Sequence, residues 1–330
     1  KMSKVSVIIP TYNNPKQLSR SIHSVLNQTY KDLEVIVIND GSTVDYSETK
    51  TKFSSNPLVM FFDKKNQGPG LARQFGLDKS SGIYINYLDA GDELLPDKIE
   101  AQVKILDKQP DIVMTYGLSM IDGNPDKLHR PKLRRQTKDD LLKNVLEVRK
   151  WHTSSPLWHY KKAKYWFSLF NGEDVLHDFT VAITNNGKVN FEYVIRVNLI
   201  FDNPDGGLSN ASDLKQNHQR FVNDCLELNL TMQSELNQKG FLKEKIYAEP
   251  LAERMFHAAM RVNLVGYKDE SLTLVKASKK TTKSLVKQFE LLILQLVIRL
   301  PIKNRRPIFQ FMYKVRRKIL SPNTHQYRYI

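Results

Sequence analysis

The feature that most constrains this 330-residue chain is a repeated alternation within its first hundred or so residues. Val5–Pro10 (VSVIIP), Leu33–Asn39 (LEVIVIN), Leu58–Phe62 and Ile83–Leu88 are short apolar runs rich in β-branched residues, as expected of buried strands. Between them, Pro15–Gln28 places Leu18, Ile22, Val25 and Leu26 at helical spacing. Gly70–Lys79 and Pro96–Lys108 also read as helices, the second with Pro96 in a first-turn position. Strands alternating with helices predict βαβ units and a mainly parallel sheet. Ligands of such sheets bind beyond the carboxyl ends of the strands. The chemistry is therefore expected just after each apolar run.

Polar clusters stand at those places. They are Thr11-Tyr12-Asn13, Asn39-Asp40-Gly41-Ser42, Asn66-Gln67-Gly68 leading on to Ala72-Arg73 and Gly76, and Asp89-Ala90-Gly91-Asp92. A fifth, Gly172-Glu173-Asp174, lies in the second half. Taken singly, each has a structural explanation. Asp-Gly-Ser after a strand is a common turn, an Asp there caps a following helix, and Tyr12 reads as a half-buried aromatic. Other signatures are missing. Pro10–Pro15 stands where a dinucleotide fold needs glycines, and no phosphate loop ending in Gly-Lys-Ser/Thr or Cys/His zinc spacing occurs. The pattern argues against a dehydrogenase, a phosphate-loop ATPase and a zinc enzyme.

In this order the clusters resemble the family 2 glycosyltransferases, inverting enzymes of the GT-A fold. Val5–Asn13 looks like that family's first strand and donor loop, and Val35–Ser42 like its second. Asn66, Gly68, Ala72, Arg73 and Gly76 are similar to its third motif. The resemblance is strong over residues 4–100, continues to about Ser209, and fades beyond. It implies an α/β fold: a GT-A, Rossmann-like, mixed, mostly parallel sheet flanked by helices, with a helical C-terminal region. The domains expected are a catalytic domain over 1–210, a helical extension over 211–275 and a basic amphipathic helical tail over 276–330.

The resemblance further implies a hexosyltransferase that takes a UDP-sugar donor. Its donor contacts are expected at Pro10, Thr11, Tyr12, Asn13, Asp40, Asn66, Gly68, Arg73, Asp89 and Ala90. Tyr12 offers a flat face to the base, and Asp40 can accept from uracil N3–H, a donor that cytosine lacks. Arg73 has a second reading, as a buried guanidinium bonded to nearby carboxylates. The family usually carries Asp-X-Asp at its metal site, whereas here Gly91 replaces the second carboxylate. Asp89 and Asp92 are the expected ligands of Mn²⁺ or Mg²⁺, cations that favour oxygen donors. A histidine is a candidate further ligand, with none singled out by the sequence. Glu173-Asp174 resembles the family's late acidic pair, with Asp174 the expected general base and Glu173 beside it. Inverting transfer needs one carboxylate to take the acceptor proton and no nucleophilic partner. Trp151 and His152 are expected to meet the acceptor, with a core position as the alternative for Trp151. Trp158, Trp166 and His177 read as structural.

Charge is uneven. Of a net +15, Lys276–Ile330 contributes +13, with 14 Lys/Arg and Glu290 as its one acid. The body is nearly neutral, which excludes a nucleic-acid coat, and no nucleic-acid partner is expected. Ile308, Phe311, Met312, Val315 and Ile319 share one side of a basic helix, a pattern that reads as an interfacial helix on an anionic membrane. The rival reading of this segment is nucleic-acid binding, since basic patches also neutralise phosphates, and the plainest is a helical hairpin packed on the catalytic body. Leu291–Ile298 is too short to span a bilayer, and Val5–Pro10 is too short for a secretory apolar segment. The lone Cys225 points to a reducing compartment. The expectation is a cytoplasmic enzyme on the inner face of the plasma membrane. It would build cell-envelope polysaccharide on a glycan or lipid-linked acceptor, with its oligomeric state left open. The competing class is a non-catalytic nucleotide-sugar or glycan-binding protein with a degraded metal motif, argued from Gly91. A sugar-1-phosphate nucleotidyltransferase is disfavoured by the lack of an early Gly-rich basic loop.

Overall fold

The computed structural model describes residues 3–121, 123–128, 140–147, 149, 151–163, 165–185, 191–201, 217–301 and 305–319. The chain divides into two compact units, residues 1–145 with 149–210, and residues 146–148 with 211–330.

The first unit is built on a nine-stranded sheet. Its strands are β1 (Val5–Thr11), β2 (Leu33–Asp40), β3 (Val59–Lys64), β4 (Tyr84–Tyr87), β5 (Glu93–Leu94), β6 (Met114–Ile121), β7 (Asn124–Leu128), β8 (Leu157–His159) and β9 (Phe191–Phe201). The order is β3-β2-β1-β4-β8-β6-β9-β5, with β7 on β6. The first four strands are mutually parallel, and β8 enters antiparallel between β4 and β6. The helices of this unit are α1 (Pro15–Leu26), α2 (Ser47–Phe53), α3 (Pro69–Lys79), α4 (Lys98–Lys108), α5 (Leu141–Glu147) and α6 (Glu173–Thr184).

Both faces of the parallel strands are covered, and the strand sequences reflect it. Val5, Val7 and Ile9 of β1, with Val35 and Val37 of β2, share a core with Leu18, Ile22 and Val25 of α1 and with Ile99, Val103 and Leu106 of α4. The alternate residues Ile8 and Ile38 face α3. This two-sided burial follows from the two-residue period of a strand. Gly76 lets α3 approach closely, since a Cβ there meets Ile8 Cγ2 at 2.4 Å. The register pairs Thr11 with Asn39, Asn39 with Asp63 and Asp40 with Lys64, so the polar clusters emerge along one edge of the sheet.

The second unit is helical: α7 (His218–Gln238), α8 (Lys245–Leu264), α9 (Lys268–Thr281), α10 (Leu285–Arg299) and α11 (Arg306–Ile319). Its core gathers Phe221, Phe256, Met260, Leu274, Leu291, Leu294, Ile298 and Phe309. The boundary expected at residue 276 falls inside α9, whose Leu274, Val275, Ala277 and Ser278 are all buried. Ser278 Oγ donates to Ala252 O at 2.7 Å, which ties α9 to α8. Extension and basic segment are therefore one packed unit rather than two.

The tail helix also differs from expectation. Phe309, outside the expected apolar stripe, is fully buried, while Phe311 within that stripe is 66% exposed. Met312 packs on the core, and the side chains of Val315 and Ile319 lie outside the described residues. Arg305, just before this helix, caps α10, its Nη2 donating to Leu300 O at 2.6 Å and Ile298 O at 3.2 Å. Such a cap satisfies carbonyls that a helix end leaves open. Phe309→Ala is expected to lower stability by about 3–5 kcal/mol, and Phe311→Ala by less than about 0.5 kcal/mol, read by urea denaturation. Equal effects would contradict this packing.

Candidate active site

The first two clusters lock onto each other. Thr11 Oγ1 lies 2.8 Å from Tyr46 Oη, which also accepts from Asn14 N–H at 2.8 Å. Asn13 adopts a left-handed φ of 52°. Its N–H donates to Ser42 Oγ at 2.9 Å, and its Oδ1 accepts from Thr43 N–H at 2.8 Å. The chain after Pro10 is thus fixed, and Tyr12 projects from it 50% exposed. Asp40 is buried, accepting from Lys64 Nζ at 2.6 Å, Gln67 N–H at 3.1 Å and Gly68 N–H at 2.8 Å. It anchors the loop that carries exposed Asn66 and buried Gly68 into α3. A carboxylate has about four acceptor sites, so these bonds occupy most of Asp40's capacity.

Asp89-Ala90-Gly91-Asp92 forms a turn in which Asp92 N–H donates to Asp89 O at 3.0 Å. Gly91 has a φ of 115°, which a side chain rarely adopts. Ser21 Oγ accepts from Gly91 N–H at 2.9 Å and donates to Asp92 O at 2.8 Å. Asn14 Nδ2 reaches Ala90 O at 3.4 Å, linking the first loop to this one. The turn brings Asp92 back beside Asp89. Ser154 Oγ accepts from Asp89 N–H at 3.0 Å and donates to the Asp92 carboxylate. His152 Nδ1 lies 3.2 Å from Asp92 Oδ2.

Asp89, Asp92 and His152 each offer one ligand atom, all within 4.8 Å of one another. Burial pushes the Asp92 carboxyl upward, and only part of that is offset by His152. A divalent cation would relieve this penalty. Two carboxylates with one imidazole fit Mn²⁺, which accepts oxygen ligands and tolerates nitrogen. His152, expected at the acceptor, is thus the histidine that stands with Asp89 and Asp92.

The acidic pair opens α6, where the helix N-terminus favours negative charge. Glu173 accepts from Arg73 Nη1 at 3.0 Å, while Arg73 Nη2 donates to Asp89 at 2.6 Å. The Arg73 guanidinium lies 4.6 Å from the Trp166 ring centroid, in cation–π range. Of its two expected roles, the structure gives Arg73 the buried, carboxylate-bonded one. Asp174 is paired with Arg149, and accepts from Thr153 Oγ1 at 3.0 Å and Val175 N–H at 2.8 Å. Burial and the adjacent Asp174 push the Glu173 carboxyl upward. Burial alone would raise Asp174 too, but Arg149, Arg73 and Thr153 outweigh it and hold Asp174 well below the usual range. Asp174 is therefore the more readily ionised member of the pair.

Trp151 corrects an expectation. It is 1% exposed, with Nε1 donating to Asp178 Oδ2 at 2.9 Å, so its ring has no face open to a sugar. Its place is structural, because the same Asp178 also takes Arg149 Nη1 at 3.1 Å and His177 Nδ1 at 2.9 Å. His177 is buried and stacked on Trp166 at 4.2 Å.

The sequence singled out neither Arg149 nor Asp178 nor Asn86, and it marked Thr153 and Ser154 only as part of a stretch able to meet a sugar, not as partners of these carboxylates. Asp178 stands one helical turn after Asp174, which was a visible signal. Asn86 was visible as a lone amide inside an apolar run. It donates to Ser154 O at 2.9 Å and Pro156 O at 2.8 Å, fixing the His152–Ser154 segment to β4. Arg149 carried no signal. Asp92→Ala and His152→Ala are each expected to weaken Mn²⁺ binding, measured by calorimetry, at least about tenfold. Unchanged affinity in both would show that this trio does not hold the ion.

Comparison with known proteins agrees with this geometry. The model of Glycosyl transferase family 2 matches residues 6–167. A protein of Rickettsia bellii named as an uncharacterized glycosyltransferase is 46% identical over 120 residues, which cover 36% of this chain and 17% of that protein. The chain thus spans only a small part of that relative. The crystal structure of S. aureus TarS 1–349 in complex with UDP-GlcNAc is similar with a TM-score of 0.56 at 16% identity, covering 87% of this chain and 90% of that one. Mannosyltransferase PcManGT from Pyrobaculum calidifontis, in complex with GDP-Man and Mn²⁺, is similar with a TM-score of 0.57 at 13% identity, covering 95% and 84%. At those identities the likeness establishes the shared GT-A fold. Residues 6–167 of this chain are thus similar in sequence to glycosyl transferase family 2.

Proposed function

We propose that the chain is an inverting glycosyltransferase. It would move a sugar from a UDP-sugar to a hydroxyl of a surface polysaccharide, a teichoic-acid-like polymer or a lipid-linked glycan. The observation that carries this reading is the continuous contact from the Asp89, Asp92 and His152 trio through Arg73 to Glu173 and Asp174. A cation position and a carboxylate pair thereby share one site, as donor activation and acceptor deprotonation together require. Solved proteins of the same fold hold UDP-GlcNAc in one case and GDP-Man with Mn²⁺ in another, which supports a nucleotide-sugar donor.

The protein's own groups divide the work. Tyr12, exposed on a loop held by Tyr46 and Ser42, and Asn66, exposed on a loop held by Asp40, receive the base and ribose. Asp40 takes uracil N3–H with the acceptor capacity its loop bonds leave. Asp89, Asp92 and His152 would hold a divalent cation, whose charge would offset that of the departing diphosphate. Asp174 is ionised, and its side chain is 22% exposed, twice as open as that of Glu173 at 11%. It takes the acceptor proton as the acceptor oxygen bonds to the anomeric carbon. The bond from that carbon to the diphosphate breaks at the same centre, and the electron pair leaves on UDP. Arg149 and Thr153 keep Asp174 oriented. The non-catalytic alternative rested on Gly91, but the Gly91 turn returns Asp92 to Asp89 and leaves that alternative without its motivating feature.

With Mn²⁺, the protein is expected to release UDP from at least one UDP-sugar. Asp174→Asn is expected to lower kcat by about 10²–10⁴-fold while UDP binding stays within a few fold. Turnover of GDP-sugars alone would overturn the choice of base. Wild-type turnover matched by Asp174→Asn would overturn the choice of proton acceptor.

A further inference from the structure

We propose that the outer face of α10 docks on the anionic surface of a lipid bilayer, lying flat in its interface. This inference uses no part of the catalytic reading. Leu285, Phe289, Leu292, Leu296 and Leu300 follow one another at steps of four, three, four and four residues, a single helical face. Each is between 45% and 85% exposed, and Val286 beside them is 54% exposed. The opposite face, Leu291, Leu294 and Ile298, is buried in the core of the helical unit. The helix is therefore apolar on both sides. A helix of that kind is ordinarily covered all round.

Length and charge select the occupant. The helix has 15 residues, which at about 1.5 Å each is too short to cross a hydrocarbon core of about 30 Å. Among the described residues, no helix is long and apolar enough to cross a membrane. The exposed stripe is flanked by exposed Lys280 and Lys283 at its start and exposed Arg299 and Arg306 at its end. The single acid of residues 276–330, Glu290, is half-buried and turned to Lys287 at 2.8 Å, which also pairs with Glu253 of α8. A second copy of this chain would bring +13 against +13, and like charges repel. A neutral apolar partner would leave the flanking bases uncompensated. An anionic bilayer meets both features, taking the leucines and phenylalanine into its acyl boundary and the bases among its headgroups.

The test uses the full chain and vesicles of phosphatidylcholine alone or with 30% phosphatidylglycerol, in a sedimentation assay. The wild type is expected to bind the anionic vesicles at least tenfold better than the neutral ones. The double variant Phe289→Ser/Leu296→Ser, which leaves the charge unchanged, is expected to lose at least tenfold of that binding. Both positions are exposed, so its circular dichroism and melting midpoint should match the wild type. A second variant, Lys283→Gln/Arg299→Gln, is expected to weaken anionic binding while leaving the apolar face intact. Equal binding by wild type and the serine variant would overturn the proposal. So would a wild-type dimer in light scattering that the serine variant converts to monomer, which would assign the face to a second copy.

Discussion

The acidic centre depends on two buried guanidinium groups. Asp89, Asp92, Glu173, Asp174 and Asp178 are drawn into one region, in which Asp92, Glu173 and Asp178 are buried and unpaired negative charge would be costly. Arg73, from the helix after the third strand, joins Asp89 to Glu173. Arg149 joins Asp174 to Asp178 across one turn of α6. Removing either arginine leaves carboxylates buried without compensation, and removing a carboxylate leaves a buried cation in the same position. The division of labour within the acidic pair follows from this. The neighbouring cations keep Asp174 ionised, while burial and that fixed charge push Glu173 toward its protonated form. Two adjacent carboxyls thus acquire different properties from their surroundings alone.

The candidate cation position shows how backbone conformation substitutes for a missing side chain. Read linearly, Asp89-Ala90-Gly91-Asp92 lacks the second carboxylate of the usual motif. Folded, the left-handed Gly91 turns the chain so that Asp92 returns to Asp89, and Ser21 fixes both backbone ends of the turn. Ser154 then bridges the two aspartates, and His152 arrives from the same short segment. That segment has no helix or strand of its own at His152–Ser154. Its position comes from Asn86 in β4 and from Ser155, whose hydroxyl donates to Gly117 O at 2.8 Å. Buried polar side chains in apolar strands serve here as attachment points for a functional loop.

Different parts of the architecture were legible to different degrees. The strands at Val5, Leu33, Val59 and Tyr84 stood out because strands buried on both faces must be continuously apolar. The short β5 and β8 did not, since two or three residues carry no periodicity. In the helical unit, elements were legible but their registers were not. Ile308, Phe311 and Met312 share a face in sequence, yet it is Phe309 that is fully buried, packed with Leu291, Leu294 and Ile298 of α10 in one core. The apolar character of α10 was plain, whereas which of its sides stays uncovered was not.

The sequence by itself determined the parallel sheet, the placing of polar clusters at strand ends, the family resemblance and the concentration of charge beyond residue 276. These are local properties, set by two-residue and 3.6-residue periods and by residue types at fixed spacing. Only the tertiary structure decided that Arg73 pairs with carboxylates, that Trp151 is sealed in, that His152 joins Asp89 and Asp92, and that Arg149 supports Asp174. Each of these contacts joins residues at least 16 apart in sequence. At such separations the partner of a charge is chosen by which elements pack together, and no periodicity along the chain encodes that choice.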